Sequence, residues 1–461
     1  MSTENSTQKP FTIAIVGGGI GGIALAIALR HQHVPVQVYE AAPEFAEIGA
    51  GMAFGPNAIR SMELIDPAIR KAFNTRATKN GAKEDEATWI NFRCGLGEPD
   101  LIAKVQTTDH DKTGLSSVHR AHFIDELADL LPEEIAHFGK RLVGLATLDS
   151  GKMQLAFEDD TTAHADAVVG CDGVRSRVRQ FLLDTKSPLE DLTFSGKYAY
   201  RGLISMGMAK EALGEYLSGN SQMYLGPEGH ILTYPIAHGK VMNVIAFKNQ
   251  DTPWEHESWV VKNQGDAFKR DFEGWGKPVQ SILQLLDSPD QWALFDHQPA
   301  RTYCQGRVAI LGDAAHASTP HQGAGAGQAI EDALILGRLL GDVQTQGASD
   351  IPAAFRAYDA VRRPRSQKVV TTSRAAGLTY AFQGPDGGDV AGIQEELLQR
   401  FQWIWEEDME SQLAQATTML RGERQVAVGT GRGLVWGWAA VWKQVLEDLV
   451  SRVLVFIRGS R

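Results

Sequence analysis

Apolar and polar positions change period several times along the chain, and those changes outline its elements. TIAIV is a β-branched run, GGGIGG a glycine turn, IALAIALRHQ a helical stripe and VPVQVYE a second run. Together they predict a strand–helix–strand start over residues 12–40. HRAHFIDELADLL (residues 119–131) has helical spacing, and Met153–Phe157 and Ala167–Cys171 read as strands. From about Tyr198 the character shifts: YAYRGLISM, QMYLGP, HILTYPI and VMNVIAF are short strands divided by turn residues at 226–229 and 238–240. Hairpin-length connections predict an antiparallel sheet, and therefore a second domain inserted in the first. Near Gly306 a buried strand, RVAILGD, returns ahead of a glycine-rich turn and a long helix. Beyond Pro352 helical periodicity dominates to the end.

Composition narrows the classes. With 461 residues and 43% hydrophobic content there is room for two or three cored domains. The net charge of −11, without a basic block, argues against gripping nucleic acid phosphates. Cys94, Cys171 and Cys304 share no CxxC spacing, so neither a disulfide framework nor a zinc site is indicated. Reduced thiols in a cytoplasmic protein are the simplest expectation. The polar start MSTENSTQKP does not read as a signal peptide. No spanning helix is expected, because charges interrupt even the most apolar stretch, Leu434–Ile457. That tail carries Trp436, Trp438 and Trp442 before a helical stripe, which packs on the parent domain or makes a peripheral membrane or partner contact.

Chemistry enters with Gly17-x-Gly19-x-x-Gly22 between strand and helix. The first glycine permits the tight turn, the second lets a pyrophosphate approach the backbone, and the third lets helix pack on strand. Glu40, ending the second strand, is placed to accept from ribose hydroxyls. This context predicts dinucleotide binding but does not separate NAD from FAD. Two further segments do: AVVGCDGVRS, a strand entering the Asp172-Gly173 turn, and RVAILGDAAH, a strand presenting Gly312-Asp313 ahead of GAGAG.

With the glycine turn, these segments resemble the three fingerprints of single-component FAD-dependent aromatic hydroxylases of the para-hydroxybenzoate hydroxylase fold, over about residues 12–370. The resemblance implies an α/β fold: a Rossmann-like FAD-binding domain (10–185 and 301–375), an inserted antiparallel β-sheet substrate domain (186–300) and a helical C-terminal region (376–461). It implies that Glu40 holds the adenosine ribose and Asp313 the ribityl chain. Arg120 would stand near the diphosphate and ribityl groups, the backbones of Ala53 and Ala326 would touch FAD, and Asp172 would serve FAD and NADPH besides shaping a turn. No second GxGxxG appears, so NADPH (or NADH) is expected as a transient co-substrate.

GAGMAFGPNAIRSMELI, YAYRGLI, MYLGPEGHILTYPI and GDAAHASTPHQGAGAGQAIEDAL are similar to the fungal branch of salicylate hydroxylase-like monooxygenases, which includes phenol-dearomatising members of secondary metabolism. The implied activity uses NADPH and O2 to hydroxylate a phenolic aromatic through a flavin C4a-hydroperoxide, monomer and homodimer both being open. In the dearomatising members an Arg and a Tyr at the positions of Arg201 and Tyr234 bind the phenolate. An Arg flanked by apolar neighbours on a strand face is costly to bury without an anion, which a substrate or an unseen carboxylate supplies. His321, on the loop expected to face the flavin, is either a proton acceptor or a loop contact. His316 is expected to be structural, and the remaining histidines have no metal-ligand spacing. The alternatives are dearomatisation of a resorcinol-type polyketide, an FAD-binding reductase without oxygen insertion, and an NAD-dependent dehydrogenase that leaves Asp313 and GAGAG unexplained. No G-x-S-x-G elbow suggests a hydrolase.

Overall fold

The computed structural model describes residues 8–45, 51–110, 112–187, 189–286 and 288–429. The Trp-rich tail around Trp436, Trp438 and Trp442 lies outside them. Strand Ile13–Val16 pairs in parallel with Val36–Tyr39 on one side and Ala167–Gly170 on the other, in register Val36↔Ile13↔Ala167. Val308–Ile310 adds in parallel beyond Ala167–Gly170, and Ala136–His137 and Cys304–Gln305 complete a six-stranded sheet. IAIV, AVVG and VAI are buried along their whole length, as strands covered on both faces must be. Helices Ile20–His31 and Gly325–Gly341 cross so closely that a Cβ on Gly337 would come within 2.6 Å of Ala28.

The second sheet has eight strands, in the order Val260–Val261, Asp290–His297, Leu192–Ser205, Val241–Asn249, Gly229–Ile236, Gln222–Gly226, Thr88–Cys94 and Leu101–Gln106. Here the expected boundaries need correction. The last two strands come from residues 88–106, inside the segment assigned to the first domain, and Gln222–Gly226 pairs with Thr88–Cys94 in parallel rather than antiparallel. TWINFRC hides this, because its first five residues are all buried and no alternation marks a face. A parallel partner distant in sequence also leaves no hairpin turn to read. One face of this sheet packs under helices Met206–Gly219, Gly265–Asp271 and Lys277–Leu285 around Tyr200, Tyr224 and Phe268. The other face is turned toward the first sheet.

Beyond Pro352 the expected helices form, through Met409–Gly429. The proposed boundary at 375/376 falls inside a 30-residue helix, Ile351–Tyr380, so the C-terminal region grows out of the preceding segment rather than following a linker. Among the described residues no helix is long and apolar enough to cross a membrane.

These helices enclose a buried ionic cluster. Glu331 and Asp332, both fully buried on Gly325–Gly341, face Arg362 and Arg365 of the long helix. Arg362 reaches Asp332 at 2.7 Å and Glu331 at 2.6 Å, and Arg365 forks onto Glu331 at 2.7 and 2.8 Å. Burial alone would raise Glu331, yet the Arg365 and Arg362 charges hold it at about 2. Asp332 also bonds His316 at 2.6 Å, which fits the structural part expected of that histidine. Arg362→Ala takes the shared cation from two buried carboxylates and is expected to lower unfolding stability by about 3–5 kcal/mol. Urea unfolding checks this, and an unchanged midpoint would contradict it.

Candidate active site

The glycine turn follows from sterics. Gly17 has φ +104°, and a Cβ there would overlap the Cys171 carbonyl; a Cβ on Gly22 would overlap the carbonyl of Gly17. Gly19 caps the 12-residue helix Ile20–His31 without a side chain in the way. Glu40 anchors the turn, accepting from the Gly18 N–H at 2.6 Å and the Ala42 N–H at 2.7 Å. A carboxylate offers about four acceptor sites, so both oxygens keep capacity for hydroxyls.

The other two segments meet this turn. Asp172 accepts from Ser176 Oγ at 2.5 Å and from the Arg177 and Val178 N–H groups at 2.7 and 3.2 Å. Its carboxylate is spent on the turn itself, the structural half of its expected role. Gly312, at φ +61°, donates its N–H to Asp332 at 3.1 Å and delivers Asp313 to the next position. Arg120 opens helix Arg120–Ala128; burial lowers its pKa and the nearby Asp313 charge opposes that.

One cavity runs from Gly19–Gly21, past Asp313 and Arg120, to the eight-stranded sheet. Its wall includes Gly19, Ala53, Arg120, Asp313 and Ala326, and at the far end Arg201, Tyr234 and His321. Gly17, Gly22, Glu40 and Asp172 are not among the residues that line it. At the sheet end, cross-strand neighbours Arg201, Ile245, Leu232 and Met223 form one row, in register Arg201↔Ile245↔Leu232↔Met223. The Arg201 guanidinium lies 5.2 Å from the Trp292 ring centre, its Nε is buried without a partner, and no carboxylate pairs with it among the described residues. Burial lowers its pKa, with Tyr234 opposing. Burial keeps the Tyr234 hydroxyl protonated, though Arg201 pulls the other way. The Tyr234 ring fits only because residue 51 is glycine, where a Cβ would lie 2.8 Å from its hydroxyl.

His321 is buried in the loop Pro320–Gln322, both ring nitrogens without a partner. Burial first, then the charges of Lys197 and Arg400, hold the imidazole neutral. The long helix admits the ring because residue 377 is glycine, where a Cβ would sit 2.5 Å from Nε2.

Sequence reasoning missed Trp89. Its indole lines the cavity, braced edge-on by Trp405 at 5.5 Å, and its buried Nε1 has no acceptor. Gln322 adds a buried, unpartnered Nε2, its Oε1 being occupied by Thr372. No motif surrounds Trp89, so nothing local singled it out. Among the described residues, Arg201 Nε, Trp89 Nε1, Gln322 Nε2 and Ser221 Oγ are buried donors without acceptors on residues that line one cavity. Such a set is satisfied by an acceptor-rich, anionic ligand. Cys171 also lines the cavity, but burial pushes its thiol far up and away from nucleophilic use. Among the described residues, no group of three His, Cys, Asp or Glu side chains is placed to hold a metal.

The family described as FAD binding domain matches residues 284–373. A 6-methylsalicylate 1-monooxygenase of Aspergillus terreus is 44% identical over 88% of this chain and 92% of its own length. A salicylate hydroxylase of Pseudomonas putida is 40% identical over 89% of this chain and 96% of its own. Among solved structures, a salicylate hydroxylase substrate complex superposes with TM-score 0.79 at 36% identity, covering 88% of this chain and 98% of that one.

Two expected outcomes follow from this geometry. Glu40→Ala loosens the glycine turn and removes ribose acceptors, so purified protein should lose most of its flavin absorbance; stoichiometric flavin would contradict the assignment. Gly377→Ala is ordinarily worth about 0.5–1 kcal/mol of added helix stability. Here it should displace His321, leaving flavin content unchanged while weakening binding of a carboxylated phenol, measured by fluorescence titration.

Proposed function

The chain belongs to the FAD-dependent aromatic monooxygenases that include salicylate hydroxylase, and from that premise we propose that it hydroxylates a salicylate-type acid with loss of CO2. The observation that carries the substrate class is the surplus of buried donors at the sheet end of the cavity. An ortho-hydroxybenzoate brings a carboxylate and a phenol oxygen to exactly such a set of unmatched N–H groups.

The residues fit an FAD. The Gly17–Gly22 turn and the helix behind it suit the pyrophosphate, Glu40 the adenosine ribose, Asp313 the ribityl hydroxyls, and Arg120 the charge between them. Ala53 and Ala326 have side chains small enough for close backbone approach to the ring system. Bound FAD, reduced by NADPH or NADH, supplies an electrophilic oxygen derived from O2.

The chain's own groups prepare the acceptor. Arg201 binds the carboxylate or the phenolate, and Tyr234, kept protonated, donates to the same oxygen. Neutral His321 accepts the phenol proton, which turns the ring into a stronger carbon nucleophile. Ile245, Leu232 and Met223 floor the site and exclude water. In sum, the carboxylate, O2, NADPH and two protons yield a dihydroxybenzene, CO2, water and NADP+. The phenolate of a resorcinol-type polyketide also satisfies Arg201 and Tyr234, which makes dearomatisation the second reading. A cytoplasmic setting belongs to the same proposal, supported by three free cysteines.

NADPH consumption and CO2 release with salicylate and 6-methylsalicylate test the reading; a quinol product without CO2 loss moves it to dearomatisation. Arg201→Ala should retain flavin yet weaken salicylate binding about tenfold to a hundredfold, the worth of one charged hydrogen bond. Unchanged binding would remove Arg201 from the site.

A further inference from the structure

A salicylate leaves part of the cavity unanswered. Its carboxylate and ortho hydroxyl meet Arg201, Tyr234 and His321. Three more buried polar groups line the wall farther along the sheet: Ser221 Oγ, Trp89 Nε1 and Gln322 Nε2. Their residues are 1%, 3% and 2% exposed, and among the described residues none of the three atoms has a partner.

The strand order sets their separation from Arg201. Leu192–Ser205, which carries Arg201, is divided from Gln222–Gly226 by Val241–Asn249 and Gly229–Ile236, and Thr88–Cys94 lies one strand farther. At about 4.8 Å per strand the backbones stand about 14 and 19 Å away. Arg201 does not close that gap, because its guanidinium stands by Trp292 on Asp290–His297, the strand on its other side. Ortho oxygens on one ring are neighbours, so the pair that meets Arg201 cannot also reach Ser221 and Trp89. A ring with oxygen at opposite ends, and a hydrogen bond of about 2.9 Å beyond each, spans what the side chains leave open.

The chain holds these groups in place. Ser221 lies just before Gln222, which pairs with Thr233 and Asn91, so it stands level with Tyr234 on the neighbouring strand. Its N–H donates to Asn80 Oδ1 at 2.8 Å and its carbonyl accepts from the Asn91 N–H at 3.1 Å, which leaves the hydroxyl for a ligand. Thr88–Cys94 slips register between Thr88 and Ile90. Such a bulge re-aims a side chain, and here the consecutive residues Trp89 and Ile90 both line the cavity. Buried Asp85 pins the bulge, accepting from Thr88 Oγ1 at 3.0 Å, Asn91 Nδ2 at 3.3 Å and Lys104 at 2.6 Å. The loop beyond Gln322 braces the indole, since a Cβ on Gly323 would lie 3.3 Å from it.

We propose that Ser221, Trp89 and Gln322 form a second polar subsite, for a ring hydroxyl opposite the carboxylate, so that the acid accepted is a 2,4-dihydroxybenzoate. It rests on the reading of the cavity as the site of a salicylate-type acid. The Trp89 and Gln322 N–H groups donate to the added hydroxyl, which donates in turn to Ser221 Oγ. That hydroxyl is para to the carbon bearing the carboxylate, so both phenol oxygens push electron density onto the one carbon that is oxygenated. One atom of O2 bonds there as the bond to CO2 breaks, and the electron pair of the broken bond stays in the ring. NADPH supplies the other two electrons, the second oxygen atom leaves as water with two protons taken up, and the product is benzene-1,2,4-triol.

The test is a binding titration of the oxidised FAD-loaded enzyme without NADPH, read by flavin fluorescence. The probes are 2,4-dihydroxybenzoate and 4-methylsalicylate, which matches it in size but has no hydroxyl at that position. A site built to bond a hydroxyl rejects the analogue lacking it, so the parent enzyme should bind the dihydroxy acid about tenfold more tightly. In Ser221→Ala and in Trp89→Phe this preference should shrink about threefold or more. The preference is a ratio within one protein, so general loosening of a variant cancels, and Ser221→Ala, which removes one atom, guards against misfolding of Trp89→Phe. Equal affinity for the two probes in the parent overturns the subsite, as does a preference unchanged in Ser221→Ala. Salicylate-stimulated NADPH oxidation with CO2 release reports the hydroxylation reading separately, so either claim can fail alone.

Discussion

The fold turns on a cluster of charges that water never reaches. Glu331 and Asp332 stand side by side on one helix, fully buried. Their partners come from four other parts of the chain: Arg362 and Arg365, Asn57, the Gly312–His316 loop and, through Arg362, Gln412. Desolvating such ions costs several kcal/mol apiece, and attraction repays it only when every lone pair and N–H is used. Here they are nearly all used. Because Asp332 also holds the Gly312 N–H, the position of Asp313 in the cavity wall depends on charges standing outside the cavity.

That dependence explains what was legible in the sequence. The Gly17–Gly22 turn, the Asp172-Gly173 turn and the Gly312-Asp313 strand end are local: their geometry is dictated by residues within a few positions, so pattern alone found them. Arg201 and Tyr234 were legible through resemblance and strand alternation, and the register places both on the cavity wall. Trp89 and strands Thr88–Cys94 and Leu101–Gln106 were not. Their roles arise from pairing across long stretches of chain, and an all-buried strand carries no periodic mark of which face it presents. The Arg362–Glu331 pairing left no signal either, since a charged residue on a helix reads as a solvated face until its partner is seen.

The cavity and the cluster solve opposite electrostatic problems. In the cluster, cation and anion are both supplied by the chain. At the sheet end of the cavity, among the described residues, Arg201 has no paired carboxylate and Trp89 and Gln322 have no acceptor. Buried donors left unmatched lower stability. A ligand carrying the missing anion recovers that free energy on binding, whereas an isostere lacking its carboxylate or hydroxyl does not. Discrimination then comes from what the chain withholds. His321 follows the same logic, since burial first, and then the charges of Lys197 and Arg400, make its protonated form unfavourable and leave it able to accept.

The helix Ile351–Tyr380 joins these two regions. Arg362, in its first half, anchors the ionic cluster, and Gly377 near its end makes the seat for His321. At 1.5 Å per residue the two positions are about 22 Å apart on one rigid element. Pro364 within it removes one N–H that would close a helical turn, but Arg362 and Arg365 on either side of that position are held in the cluster. The cluster therefore restrains the rotation of this part of the helix about its axis. Gly377 faces His321 on the same helix that the ion pair anchors about four turns earlier.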